Sequence, residues 1–180
     1  MDPVARNDTP LLDNWQLLAV GAATAIAAVA FLSTVLGGSR GRAVRIAKAE
    51  LGRGDPQRYA SAAGGSVPTG ESWCGIFALW VLRQAGLTDW TWQWGWGFIS
   101  KLPRTSNPQP GDIAFKQEPF QHQAVVEKAK GGYVWTINGN SDGGRVVRKV
   151  HPISYWTEFR SIQPLVDGCR EEKSCLTYSG

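Results

Sequence analysis

Cys74 heads the run Ser72-Trp73-Cys74-Gly75-Ile76-Phe77-Ala78-Leu79-Trp80, whose apolar spacing predicts the start of a helix. Cysteine attacks as the thiolate, and the unpaired N–H groups and dipole of a helix start favour that anion. A nucleophilic thiol also needs a base to take its proton and later return it to a leaving group. Histidine is scarce, with only His122 and His151. His122 opens a predicted strand directly after the loop Lys116–Gln121, so its ring is expected to face a helix packed on the sheet. A third group should hold the other imidazole nitrogen. Asn138 and Asn140, in Thr136-Ile137-Asn138-Gly139-Asn140-Ser141-Asp142, end the next strand as hairpin neighbours of His122. An amide suffices for that orienting role. With Cys74 and two histidines at no ligand-type spacing, neither a metal nor any other cofactor is expected.

The elements that must position these residues follow from pattern. Val44, Ala47 and Leu51 recur at helical spacing over Arg42–Leu51, and Gly52 stops that helix. Residues 54–70, rich in Gly, Ala, Ser and Pro, read as a loop. Trp73–Ala85 is predicted as the second helix, with Trp73, Ile76, Phe77, Trp80 and Val81 on one face. Ser72 or Glu71 can cap its start, and Gly86 ends it. Trp90, Trp92, Trp94 and Trp96 alternate, but Gly95 and Gly97 argue for an irregular turn. Burial is the favoured role of these indoles, with one or two at a groove rim. After the turn Asn107–Gly111, strands are predicted at Asp112–Phe115, His122–Lys128, Tyr133–Asn138, Arg145–Val150 and Phe159–Leu165. Asp112 is expected to stabilise the turn. Helices first and hairpin-spaced strands after them predict an α+β domain with an antiparallel sheet.

The N-terminal third has a different character. No charge occurs between Asn14 and Arg40, and Leu17–Leu36 is a 20-residue apolar stretch, enough for one bilayer crossing. Trp15 precedes it as an interfacial anchor. Asp2, Asp8 and Asp13 crowd the start, which favours an uncleaved anchor over a signal peptide. The organisation expected is a polar segment (1–14), a transmembrane or anchor helix (15–36), a linker (37–41), a domain (42–168) and a tail (169–180). Arg40, Arg42, Arg45 and Lys48 follow the span, and by the positive-inside rule they place the domain in the cytoplasm. Delivery by a virus particle would bypass that rule, so the topology stays open.

The 180 residues carry 19 Lys+Arg against 15 Asp+Glu, a net charge of +4. The stretch from Arg40 to Asp167 alone is +6. Such a domain suits a polyanionic partner such as an anionic cell wall. No dense basic run points to nucleic acid. Cys169 and Cys175 lie close together in a polar tail, where either a short disulfide loop or two free thiols fits.

From about Arg42 to Val166 the chain resembles the CHAP-type and NlpC-type peptidoglycan hydrolases, papain-like amidases and endopeptidases common in phage lysins. Ala43–Gly52 looks like the opening helix of that family. Ser72–Phe77 with Gln84-Ala85-Gly86-Leu87 looks like its nucleophile helix. Pro110-Gly111-Asp112-Ile113 resembles its turn into the sheet, His122 with Val125-Val126 its histidine strand, and Ile137–Asn140 the strand bearing its further polar residues. The resemblance implies a papain-like fold, helices on an antiparallel sheet, with Cys74 as nucleophile, His122 as base and acid, Asn138 as third residue and Asn140 in support. Two positions depart from the pattern. Gln121 replaces the Gly common before the histidine. Asn138 stands where a carboxylate is frequent, and stabilises an imidazolium less. The expectation is a membrane-anchored, virion-associated enzyme cutting amide bonds of bacterial peptidoglycan in the periplasm or wall. Its expected partners are peptidoglycan, a membrane through Leu17–Leu36, and other virion or tail proteins. The alternatives are a structural virion protein that keeps the fold, and a protein-directed cysteine protease.

Overall fold

The computed structural model describes residues 38–67, 69–93 and 97–172. The expected anchor Leu17–Leu36 lies outside them. Among the described residues no helix is long and apolar enough to cross a membrane.

Three α-helices are described: α1 (Ser39–Ala49), α2 (Cys74–Gln84) and α3 (Gln163–Glu172). Six strands accompany them: β1 (Arg104–Thr105), β2 (Ile113–Lys116), β3 (His122–Lys130), β4 (Tyr133–Ser141), β5 (Arg145–Pro152) and β6 (Glu158–Arg160). They form one sheet in the order β1-β6-β2-β3-β4-β5, antiparallel throughout. The α+β class therefore holds. Two glycine turns at positive φ build the central meander. Gly131-Gly132 joins β3 to β4 and Gly143-Gly144 joins β4 to β5, conformations that a Cβ disfavours.

Strand alternation divides the core in two. Ile113, Phe115, Val125 and Ile137 pack on the side of α2, in the larger apolar cluster. Ala114, Ala124, Val126 and Val134 face the other way, under Trp156 and Phe159. Helix α2 is buried from Cys74 through Leu82, on all faces rather than on the single face that its spacing suggested. At Gly139 the helix crosses β4 so closely that an added Cβ would stand 2.6 Å from Phe77 Cβ.

Three local expectations are corrected. Ser39–Gly41, read as linker, is the first turn of α1. The turn is held because Arg40 donates to Asp112 Oδ1 at 2.7 Å and to the Pro110 carbonyl at 2.9 Å. Within residues 54–70, Pro56–Ala63 forms a 3₁₀ helix. Asp55 caps it and Pro56 fits its first position, a signal present in the sequence. The last strand stops at Arg160. Ser161 Oγ then accepts from Gln163 N–H, and Pro164 sits in the first turn of α3, where the expected strand gives way to helix. As expected of an irregular, buried segment, Trp90 and Trp92 pack half-buried against the core, and residues 90–93 form no strand. Trp94 and Trp96 lie outside the described residues.

Asp112 has the structural place expected of it. Fully buried, it accepts from Arg40 Nη1 (2.7 Å), Gln109 N–H (2.8 Å) and Ile162 N–H (3.0 Å), tying α1, the turn and the start of α3 together. Glu50, also buried, accepts from Arg58 Nε at 2.6 Å and from the Tyr59 hydroxyl at 3.1 Å. Lys48 pairs with Glu127 at 3.3 Å. Arg40 and Lys48 thus take part in the packing of the domain.

Candidate active site

Cys74 is the first residue of α2, and Trp73 occupies the cap position without any side-chain hydrogen bond to the helix start. The expected capping by Ser72 or Glu71 does not occur. The Ser72 hydroxyl instead lies 3.5 Å from Cys74 Sγ. The free N–H groups of the first turn are therefore left for whatever negative charge develops beside the thiol. Gly75 leaves room for the Trp92 ring to pack directly on the helix start, space that a Cβ would fill.

His122 is the first residue of β3. Alternation puts it with Ala124 and Val126 on the sheet face away from α2, not on the helix-packed face the sequence led us to expect. Its ring stacks beside Trp156 with centroids 6.2 Å apart. It still meets the thiol because α2 begins at this end of the sheet, where the Gln123 backbone N–H also reaches the sulfur. The two reactive groups thus come from opposite sides of one strand end.

Asn138, in β4 and buried, places Oδ1 2.9 Å from His122 Nε2. The orientation of its amide is decided by its other end. Nδ2 donates to the Thr136 carbonyl and to Thr136 Oγ1, each at 3.0 Å. With Oδ1 facing the ring, Nε2 carries the hydrogen and Nδ1 is left to accept from the thiol. The same geometry accounts for Asn where the family often has a carboxylate. An acid oxygen in place of Nδ2 would face the Thr136 carbonyl with no hydrogen between them. Asn140 does not reach the imidazole. Its Nδ2 donates to Ser72 Oγ at 3.2 Å, and its backbone takes φ 52°, a left-handed conformation that asparagine tolerates. Ser72, which the sequence reading considered only as a cap, thereby joins Asn140 to the sulfur.

The ionisations of the pair are linked. Burial pushes the Cys74 thiol up, but hydrogen bonding to His122 and the imidazolium charge outweigh it, helped by Ser72 and the Gln123 N–H, and bring it down to about 7. Burial pushes His122 down, while the hydrogen bond and charge of Cys74, and Asn138, raise it above the ordinary imidazole value. Such a pair titrates as a unit and favours thiolate with imidazolium near neutral pH. This arrangement can attack a carbonyl carbon and hand a proton to a leaving nitrogen.

Two hollows flank the site. A groove of about 350 Å³ runs along the His122 side, walled by Lys116, Phe120, Lys149, His151 and Tyr155 among others. A second, of about 290 Å³, lies on the far side, between the 3₁₀ helix and Glu71 and Trp73. Asn140 borders both. The other predicted histidine, His151, stacks on Tyr155 with centroids 3.8 Å apart and belongs to the groove wall.

No curated protein and no solved structure matches the chain. The family model of the CHAP domain matches residues 66–140. That stretch begins ahead of Cys74, contains His122 and Asn138, and ends at Asn140, so it encloses the whole polar set. The match is consistent with a CHAP/NlpC-type, peptidoglycan hydrolase-like domain around these residues.

Proposed function

We propose that the chain is a cysteine amidase or endopeptidase that cuts amide bonds of bacterial peptidoglycan. The observation that carries this reading is the linked Cys74–His122 pair, with Asn138 on the second imidazole nitrogen, inside the CHAP match. The Cys74 thiolate attacks the amide carbonyl carbon, and the carbonyl electron pair moves to oxygen. The Cys74 backbone N–H at the uncapped helix start donates to that oxyanion. As the intermediate collapses, the C–N bond breaks and the His122 imidazolium protonates the departing amine. A water then gives its proton to neutral His122 and attacks the thioester. Collapse of this second intermediate releases the acid and restores the thiolate. Asn138 keeps the ring in the tautomer and plane that both proton transfers need.

The wider setting is part of the same proposal. Leu17–Leu36 anchors the protein in a membrane, and the excess of positive charge in the domain suits an anionic wall. A virion-associated lysin acting at entry fits both features. Zymography on purified wall with wild type and Cys74→Ala tests the core of the reading. Clearing by the wild type alone is expected. Equal clearing by both would remove the cysteine mechanism, and an intact wall beside a cleaved protein substrate would favour the protease alternative.

A further inference from the structure

The face of the sheet that carries His122 also carries a cluster of positive charge that the reaction steps do not use. Lys116 lies opposite His122 on β2, and Lys149 and His151 lie two apart on β5, opposite Thr136 and Val134. All three line the groove beside His122, and no Asp or Glu does. Their partners leave that charge available. Lys116 Nζ donates to the Tyr155 carbonyl at 3.0 Å and rests over the Tyr155 ring, neither of which neutralises it. Lys149 pairs with Asp142 at 2.7 Å, but Asp142 is 61% exposed, and such surface pairs exchange partners at little cost. The nearest other acid in sequence, Glu118, is exposed in the loop before Pro119 and outside the lining. The buried Trp156 in the groove wall adds an indole N–H with no hydrogen-bond partner. The field is felt by His151, which is pushed down by burial and then by Lys149, Lys116 and His122. The hollow on the far side of Asn140 has the opposite balance, with Glu71 and no basic side chain in its wall.

We propose that the groove formed by Lys116, Lys149 and His151 is a carboxylate subsite that seats an acidic residue of the substrate peptide next to the scissile amide. This deepens the proposed function and rests on it for the identity of the substrate, but not for the existence of the site. A free carboxylate would displace Asp142 from Lys149 and take the second cation from Lys116, while the far hollow would receive the uncharged or amine-bearing end.

The test uses the full chain carrying Cys74→Ala, so that binding is read without cleavage. The probes are N-acetyl-L-alanyl-D-glutamate, which has two carboxylates, and its diamide, which has none. Calorimetry is expected to show the acid binding at least tenfold more tightly than the diamide at low salt. Adding Lys149→Gln should abolish that preference, and adding Lys149→Arg should keep it, which separates lost charge from lost fold. Equal affinity for acid and diamide would overturn the subsite, whatever the outcome of wall digestion. Selective binding of the acid by a protein that leaves wall intact would keep the subsite and defeat the peptidoglycan reading instead. In the active enzyme, Lys149→Gln is expected to raise KM about tenfold for wall fragments with free carboxylates, a larger rise than for amidated fragments.

Discussion

Two buried polar clusters, one at Asp112 and one at Cys74, show how the same fold treats structure and chemistry differently. At Asp112 the carboxylate is fully enclosed and meets three fixed donors, from Arg40, Gln109 and Ile162. The cluster joins three segments and is closed on every side. At Cys74 the sulfur meets Ser72, the Gln123 N–H and His122, and the proton between thiol and imidazole has two resting places. One side of this cluster borders an open groove. Saturated hydrogen bonding marks the first as a fastening, and linked ionisation beside open space makes the second the candidate for chemistry.

The largest test of that contrast is a pair of substitutions. Cys74→Ala is expected to lower wall digestion by at least about 10⁴-fold while leaving the melting temperature almost unchanged. Asp112→Ala should do the reverse. It strands Arg40 and two backbone N–H groups and costs about 3 kcal/mol, roughly 6–12 °C in melting temperature for a domain of this size. Its remaining folded fraction should cleave with an unaltered pH profile. Digestion lost in both variants at unchanged melting temperature would erase the distinction.

A second, smaller effect is expected at Asn138. Asn138→Ala frees the imidazole to turn and should cost about 10²-fold in kcat/KM, measured on soluble wall fragments. Asn138→Asp sharpens the point. It supplies the carboxylate frequent in the family, yet sets an acid oxygen against the Thr136 carbonyl, so lowered stability is expected rather than gained rate.

The pH dependence separates the clusters by titration. The Cys74 thiol lies at about 7, below its ordinary value of 9.0, so the reactive thiolate is present above pH 7 and lost as pH falls through it. The rate of alkylation by iodoacetamide is expected to rise with a midpoint near that value. In His122→Ala the main lowering partner is gone, so the midpoint should move upward. An unmoved midpoint would break the linkage between the two groups. The smallest shift is expected for Ser72→Ala. It removes a weaker contact to the sulfur and the acceptor for Asn140, and should move the same midpoint upward by less than His122→Ala does.

Much of this site could be read from residue types and order. Cys74 at a helix start, His122 at a strand start and Asn138 on the neighbouring strand are all where pattern put them, because helix and strand periods are local properties. Asn138 and Asn140 differ in how much was visible. Their strand was expected to end at Asn138, but β4 continues to Ser141 because Gly139 lets α2 approach. Glycine between two asparagines reads as a turn until the helix that needs the space is known. Asn140 was assigned to the site, and it serves through Ser72 rather than at the imidazole. The strand expected at Phe159–Leu165 failed for a similar reason: a short apolar run does not reveal whether a helix follows it.

The sequence by itself determined the α+β class and the elements that carry Cys74, His122 and Asn138, since each rests on spacing along the chain. Only the tertiary structure decided that His122 reaches Cys74 from the opposite face of the sheet, that Asn rather than Asp fits beneath it, and that Lys116, Lys149 and His151 gather in one groove. Those facts depend on which strand ends and helix starts share a corner, and contacts between residues distant in sequence leave no period in the chain to read.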